Sequence, residues 1–242
     1  MGGFIKFLKN EALPTFNAYR DYFLGRNFGS PLNGQQGRQA IVLEAVRRCA
    51  FRQIVETGTF RGASTEWFSQ FGLPVYSVEI NERAAHFSGL RLRKNNLVHL
   101  ATGDSAAFLR SLVREPERLV PTFFYLDAHW GERLPLREEL EVIRANFPSA
   151  VIMVDDFAVP DDPGYGFDDY GPQKRLDIDY LSRSGVSELT PMFPRLASSQ
   201  ESGSRRGCVV LATSDMLERL KGATSLRRLD GGSEISHPFP LK

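Results

Sequence analysis

The chain has 242 residues, of which 42% are hydrophobic and 24% charged, and its formal net charge is +1. This composition is typical of a globular protein, and a charge so close to zero gives no electrostatic reason to expect a nucleic-acid partner. No apolar stretch approaches the length of a membrane span, so no membrane partner is expected either. The length suits one α/β domain over residues 1–242.

The N-terminus and the cysteines favour a cytoplasmic location. The opening sequence MGGFIKFLKN has too short an apolar stretch for a secretory signal peptide. Cys49 and Cys208 lie in apolar runs without the spacing of a metal or redox motif, so two buried, reduced thiols are predicted.

The chain order of the elements predicts a parallel sheet. Residues 1–37 predict a helical lead-in followed by a loop, and apolar residues at helical spacing predict a helix over 39–50. Short apolar runs then alternate with helical patterns, which is typical of a parallel sheet covered by helices. The predicted strands are QIVE, VYSVE, LVHL, TFFYLD and AVIMVD. Further helices are predicted over about 64–71, 81–94, from 104, over 135–146 and over 174–182.

Two later runs, SELTPMF and GCVVLAT, predict a hairpin and bring the count to seven strands. The predicted fold class is therefore α/β, a doubly wound Rossmann-like, mostly parallel seven-stranded sheet with an antiparallel C-terminal strand. Before this hairpin, residues 157–172 are rich in Asp, Gly, Pro and Tyr. A connection of this length predicts a lid or acceptor loop.

The stretch VETGTFRGAST follows the first predicted strand and forms a glycine-rich turn. In a doubly wound sheet, ligands bind outside the carboxyl ends of the strands, and glycine lets the backbone approach them closely. The segment departs from the dinucleotide pattern G-x-G-x-x-G, because Glu56 precedes the turn and three residues separate Gly58 from Gly62. A carboxylate at Glu56 would repel a pyrophosphate but suits a ligand that carries an ammonium group.

The next two strands end in polar residues. Glu79 ends VYSVE, where a carboxylate can accept hydrogen bonds from both hydroxyls of a ribose. Asp104 and Ser105 follow the third strand, where an adenine edge could be read. Structural alternatives stay open, since Asp104, Ser64 and Thr65 suit helix N-termini and Glu79 could be an exposed strand end.

Three aspartates follow the fourth and fifth strands. Asp127 ends TFFYLD, and Asp155 and Asp156 end AVIMVD. Adjacent parallel strands lie about 4.8 Å apart, so these side chains can converge on one point. Carboxylates so close repel one another unless a cation joins them, and Mg²⁺ prefers such oxygen ligands. The alternative is that Asp155 and Asp156 begin a solvated acidic loop.

With these motifs, residues 50–160 resemble a class I S-adenosylmethionine (SAM)-dependent methyltransferase. More narrowly, they are similar to the metal-dependent O-methyltransferases of the catechol, caffeoyl-CoA and macrolide-sugar types. The resemblance implies that SAM and Mg²⁺ are the cofactors and that Asp127, Asp155 and Asp156 bind the metal. The cofactor-binding residues it implies are Glu56, Gly58, Thr59, Gly62, Ser64, Thr65, Glu79, Asp104, Ser105 and Asp127.

The sequence departs from the catechol-type pattern after the metal aspartate. Ala128 intervenes before His129, and no lysine that could serve as a base follows soon. Asp156 stands where the family usually has Asn. We therefore expect Asp127 and His129 to be the catalytic residues, with His129 as a general base. Alternatively, His129 lies against adenosine or packs, and a metal-activated hydroxyl needs no side-chain base.

The expected acceptor is a hydroxyl of a small molecule, such as a sugar, a natural product or a polyphenol. Residues 157–172, together with N-terminal aromatics such as Phe16, Tyr19 and Phe23, are predicted to form its pocket and lid. Those aromatics could instead pack in the core or between the copies of a homo-oligomer. Two other functions stay open, an NAD-dependent oxidoreductase and a non-catalytic binding protein of the same fold.

Overall fold

A computed structural model describes residues 13–25, 29–129, 133–186 and 188–229 of the chain. The N-terminal part of the predicted lead-in, residues 1–12, lies outside the described residues. The helices are α1 Leu13–Phe23, α2 Gln36–Cys49, α3 Ala63–Ser69, α4 Glu82–Leu92, α5 Ser105–Val113, α6 Leu136–Asn146, α7 Ile178–Arg183 and α8 Ser214–Arg219. The strands are β1 Gln53–Thr57, β2 Val75–Glu79, β3 Val98–Thr102, β4 Thr122–Leu126, β5 Ala150–Asp155, β6 Phe193–Pro194, β7 Cys208–Ala212 and β8 Leu226–Arg227.

The central sheet has the order β3-β2-β1-β4-β5-β7. Its first five strands are parallel, and β7 pairs antiparallel with β5. The strand order therefore reverses between β1 and β4, where a doubly wound sheet opens a crevice for a ligand. The predicted α/β class, the mostly parallel sheet and the antiparallel C-terminal strand are confirmed.

Within the part of the chain that the structure describes, the sheet has six strands rather than the predicted seven. Among residues 188–193 of the run SELTPMF, only Phe193 belongs to a strand, and this short β6 pairs with β8 in a separate two-stranded sheet. Met192 forms an isolated bridge to Val210 of β7. Pro191 and Pro194 have no N–H to donate, so this segment cannot build a continuous ladder.

Helices cover both faces of the sheet because its central strands are apolar on both sides. On one face, alternate strand residues such as Ile54, Phe123 and Met153 pack with α2, α3 and α8. On the other face, residues such as Val55 and Phe124 pack with α5, α6 and α7. Strands buried on both faces read as continuous apolar runs, which explains why the sequence pattern located them.

The helices follow the predicted ranges closely, and three of them begin at a polar N-terminal cap, of which Asp104 was expected from the sequence. Asn81 accepts a hydrogen bond from the backbone of Ala84 at the start of α4, and Asp104 caps α5 in the same way. Asp177 caps α7, which begins later than predicted. None of the described helices has the length and apolarity needed to cross a membrane.

Candidate functional site

A cavity of about 670 Å³ opens at the carboxyl ends of β1, β2, β3 and β4. Its volume lies within the range of small-molecule sites. Five of the predicted site residues line it: Gly58, Glu79, Asp104, Ser105 and Asp127. The strand-end placement that the sequence predicted therefore brings these residues into one cleft.

The glycine turn forms the wall of this cavity next to β4. Gly58 has a φ of +90°, and a Cβ atom there would lie 2.3 Å from the carbonyl oxygen of Asp127. Only glycine therefore lets the turn pass so close to the end of β4. Gly62, with a φ of +74°, caps α3, and a Cβ there would lie 2.9 Å from Leu92.

Glu79 is held rigidly at the end of β2. Its two carboxylate oxygens accept backbone N–H groups of Phe60 and Asn81, each at 2.7 Å. A carboxylate has about four acceptor positions, so each oxygen can still accept a hydrogen bond from the cavity. Glu79 is thus fixed at the cavity wall with free acceptor positions, and its contact with a ribose stays a prediction.

Glu56 lies beneath the turn and does not line the cavity. It is 1% exposed, and its carboxylate accepts hydrogen bonds from the hydroxyls of Thr65 and Ser77. Burial raises the pKa of Glu56 to about 7. In this structure Glu56 supports the glycine turn, and its direct contact with an ammonium group stays a prediction.

The other small residues of the motif also support the turn from below. Thr59 and Ser77 share a hydrogen bond of 2.6 Å between their hydroxyls. The hydroxyl of Ser64 accepts the backbone N–H of Leu32 at 3.0 Å, which ties α3 to the turn before α2. Thr59, Gly62, Ser64 and Thr65 do not line the cavity. In this structure they shape the backbone that faces the cavity, and their direct contacts with the cofactor stay a prediction.

Asp104 and Ser105 lie at the far side of the cavity. One oxygen of Asp104 caps α5 by accepting the N–H of Ala107 at 2.8 Å, and the other forms an ion pair with Arg133. Asp104 caps a helix and lines the cavity. Its position is therefore compatible with both interpretations, a helix cap and a contact with adenine.

Asp155 differs most from its predicted role. It is fully buried and forms an ion pair with Arg38, which is only 1% exposed. It also accepts hydrogen bonds from the Tyr125 hydroxyl and from the backbone N–H of Asp156. Its charge is thus already balanced by Arg38, and the structure does not bring Asp155 into a shared cation site with Asp127.

His129 takes the place that was predicted for Asp155. Ligand atoms of Asp127, His129 and Asp156 all lie within 4.8 Å of one another. Burial raises the pKa of Asp127, and the carboxylates of Asp155 and Asp156 raise it further. Burial also raises the pKa of Asp156. Asp127 and Asp156 are thus carboxyl groups that burial and neighbouring negative charges make harder to ionise.

The side chain of His129 supports a cation at this position. It is 2% exposed, and neither ring nitrogen has a hydrogen-bond partner among the described residues. A buried polar atom without a partner is costly, and a metal ion is one partner that would satisfy it. Burial lowers the pKa of His129, which favours the neutral imidazole that ligates metals. The three residues therefore fit a divalent cation.

Residues 157–172 pack over this cluster. Phe157 and Tyr165 are buried in the core, so they do not stack on a ligand in the cavity. The hydroxyl of Tyr170 donates to the backbone carbonyl of His129 at 2.7 Å and also contacts Asp168. Arg206 joins the carboxylates of Asp156 and Asp168. This loop therefore covers the cluster through a polar network.

Several residues of the site were missed by sequence reasoning. Arg38 had a signal, because it shares a helix face with the buried Ile41 and Val42, and a charge on an apolar face needs a buried partner. The cavity walls had no such signal, because their residues lie outside the motifs except for Phe60 and Arg61, which stand in the glycine-rich stretch without a predicted role. They include Asp21, Asn33, Phe60, Arg61, Ile80, Arg83, Phe87 and Arg133.

Comparisons with known proteins show that the fold is shared with solved O-methyltransferases. TomG from Streptomyces achromogenes, an O-methyltransferase involved in tomaymycin synthesis and solved with SAM, is 22% identical. The TM-score is 0.52, and the alignment covers 74% of this chain and 79% of TomG. An O-methyltransferase from Bacillus cereus, solved with S-adenosylhomocysteine (SAH), is 20% identical. Its TM-score is 0.52, with 74% of this chain and 80% of that chain covered.

A third structure, described for the conversion of a disulfide bond into a thioacetal group during echinomycin biosynthesis, is 16% identical. Its TM-score is 0.51, and the alignment covers 80% of this chain and 88% of that chain. No protein-family model matches the chain, and no curated protein matches it in sequence. At these identities the likeness establishes a common fold.

Proposed function

We propose that this protein, which shares the fold of SAM-bound and SAH-bound O-methyltransferases, transfers the methyl group of SAM to a hydroxyl oxygen of a small molecule. The observation that carries the proposal is the cavity at the strand ends, with Gly58 on one wall and the rigid carboxylate of Glu79 beside it. A cavity at this position in a doubly wound sheet is where an adenosine-containing ligand binds.

The residues around the cavity support a specific orientation of SAM. Glu79 would accept the ribose hydroxyls, and Asp104 and Ser105 would lie beside the adenine. The methionine part would pass along the glycine turn toward Asp127. Its sulfonium methyl group would then lie at the end of β4, next to the acidic cluster.

The cluster of Asp127, His129 and Asp156 supports a bound divalent cation beside the methyl donor. When bound, such a cation would lower the pKa of an acceptor hydroxyl and orient it toward the methyl group. Asp127 lines the cavity, so it would hold the cation at the surface that the acceptor reaches. His129 is buried and does not line the cavity, which supports a ligand role over the predicted role of general base.

The acceptor we propose is a hydroxylated small molecule such as a polyphenol or a sugar of a natural product. The protein TomG, which has the same fold, is involved in the synthesis of tomaymycin. In this chain, the apolar walls Phe60, Ile80 and Phe87 adjoin charged residues in one cavity. Such a lining suits a ligand that carries both rings and hydroxyl groups.

Formation of SAH from SAM tests this proposal. Purified protein would be incubated with SAM, a divalent cation and a panel of acceptors that includes catechol, a polyphenol and a deoxysugar glycoside, and products would be followed by mass spectrometry. We expect methylated product with at least one acceptor and a decrease of about 100-fold or more in Asp127→Asn. Asp169→Asn is the matched control, because Asp169 is half exposed and lies outside the cavity.

Two results would contradict the proposal. Equal rates in the wild type and in Asp127→Asn would remove Asp127 from the reaction. Tight SAH binding without turnover of any acceptor would instead favour a non-catalytic binding protein.

A further inference from the structure

The three aspartates at the ends of β4 and β5 lie in two different electrostatic environments. Asp155 is fully buried and is paired with the guanidinium of Arg38, which also donates to the backbone carbonyl of Gly207 at 3.1 Å. With the Tyr125 hydroxyl and the Asp156 N–H also bound, the acceptor positions of Asp155 are occupied by donors of the protein itself. Asp155 is therefore a structural residue.

Asp127 and Asp156, in contrast, have carboxylate oxygens that remain available to bind a cation. Among the described residues, the carboxylate of Asp127 has one hydrogen-bond contact, a long one of 3.5 Å with the Tyr125 hydroxyl. Asp156 binds Arg206 through one oxygen, Oδ1, at 2.8 Å, which leaves Oδ2 for another partner. The backbone of Asp156 has a φ of +51°, an uncommon conformation for a residue other than glycine. Such strain is often found at functional sites.

His129 supplies the third ligand atom and is the independent sign of a ligand. The residue is 2% exposed with both ring nitrogens unpartnered among the described residues, and a ring nitrogen lies within 4.8 Å of both carboxylates. No other histidine in the described part of the chain belongs to such a cluster. An acidic pair alone would be unremarkable on a protein surface, but a buried imidazole facing it needs a partner.

The chemistry of this donor set selects the cation. Oxygen ligands suit Mg²⁺, whereas an imidazole suits the later first-row transition ions, whose affinity for nitrogen donors rises along the series. We propose that Asp127, His129 and Asp156 form a mixed carboxylate–imidazole site that binds a first-row transition-metal dication in preference to Mg²⁺. Asp155 is not a ligand of that cation, because the guanidinium of Arg38 already balances its charge.

This inference deepens the proposed function, and the role of the cation rests on it, but cation binding itself is measurable without SAM or an acceptor. A protein that binds the cation and not SAH would refute the proposed methyl transfer and leave this site intact. A protein that transfers methyl groups but shows no preference for a transition ion would refute this site and leave the proposed methyl transfer intact.

Calorimetric titration of metal-free protein, produced without a polyhistidine tag, tests the preference. We expect Co²⁺ to bind with one ion per chain and about tenfold or more tighter than Mg²⁺. In His129→Gln, which keeps an oxygen donor, the ratio of the two affinities should fall about tenfold. The control is His99→Gln, because His99 stacks on Tyr76 away from the site. It should keep the wild-type ratio.

A spectroscopic readout keeps the inference testable if His129→Gln does not fold. In wild-type protein loaded with Mn²⁺, pulsed electron paramagnetic resonance should detect the ¹⁴N modulation of one bound imidazole. The signal should persist in His99→Gln and vanish in His129→Gln or His129→Ala. Mg²⁺ binding as tight as Co²⁺, a ¹⁴N signal that survives loss of His129, a wild-type protein without a ¹⁴N signal, or no cation binding at all would overturn the inference.

Discussion

Arg38 is the residue that most changes the chemistry of the candidate site. It is a fully charged side chain on the buried face of α2, and its partner is Asp155. Removing one member of a buried ion pair typically costs about 3–5 kcal/mol, because the other charge is left without a partner. Arg38 and Asp155 are thus committed to the fold, which accounts for the difference between the predicted and the observed acidic cluster.

Individual site residues were predictable where a strand end fixed their position. Glu79 and Asp127 line the cavity because each ends or directly follows a buried parallel strand. The surroundings of Asp155 and His129 were not predictable in this way. They depend on which side chains from distant parts of the chain, such as Arg38, fold against them.

Glu139 provides a test of electrostatics at the residue scale. Its side chain, in the first turn of α6, is fully buried, and neither carboxylate oxygen has a hydrogen-bond partner among the described residues. Burial raises its pKa from 4.5 to about 7. The folded state therefore binds a proton that the unfolded state has lost, so stability should fall as the pH rises from about 4.5 through 7.

Glu139→Gln removes this loss, because glutamine does not ionise. We expect its free energy of unfolding to exceed that of the wild type by about 1–3 kcal/mol at pH 8 and to be similar at pH 5. Urea denaturation at the two pH values measures the difference. The control is Glu138→Gln, since the neighbouring Glu138 is exposed and pairs weakly with Arg110. If the effect of Glu139→Gln on the free energy of unfolding were the same at both pH values, the pKa of Glu139 would not be raised by burial.

At the scale of elements, the sequence predicted those strands and helices that local hydrophobic patterns and caps determine. The strands β1, β2, β4 and β5 are short apolar runs, and the helices between them carry periodic apolar faces and polar caps. The pattern failed at SELTPMF, because the pairing of this segment with β8 depends on a residue pair that is distant in sequence, Phe193 and Arg227.

The glycine turn is the element on which the cavity depends most. Gly58→Ala would place a methyl group against the Asp127 carbonyl at a positive φ, so we expect destabilisation of about 1–3 kcal/mol and at least about tenfold weaker SAH binding. Gly89→Ala is the contrasting variant. Gly89 lies inside α4 at an ordinary φ with open space around its Cβ position, so alanine should stabilise the protein by about 0.5–1 kcal/mol.

Denaturation curves and SAH titrations of the two variants distinguish these effects. If Gly58→Ala bound SAH as the wild type does, the close approach of the turn to β4 would have no role in the cavity. If Gly89→Ala were instead destabilised, the packing of α4 would differ from that described.

At the scale of the whole molecule, the alternation of strands and helices was enough to predict the doubly wound sheet. The strand order reverses between β1 and β4 because the chain passes from β3 at one edge of the sheet back to β4 beside β1. The number of strands was not predictable, because the segment beside β7 forms a single bridge, Met192 to Val210, and then pairs with β8 instead of extending the sheet. The ligand cavity is therefore a consequence of topology, whereas its walls depend on tertiary packing.

The central claim is that this cavity binds the adenosine and methionine parts of SAM, and calorimetric titration with SAH tests it most directly. We predict that one SAH binds per chain, that NAD does not bind, and that Glu79→Ala weakens SAH binding by about tenfold or more, or about 1.4 kcal/mol. Glu82→Ala, which changes an exposed acid at the start of α4, should bind SAH as the wild type does. Binding of NAD without binding of SAH, or equal SAH affinity in Glu79→Ala and the wild type, would contradict the account.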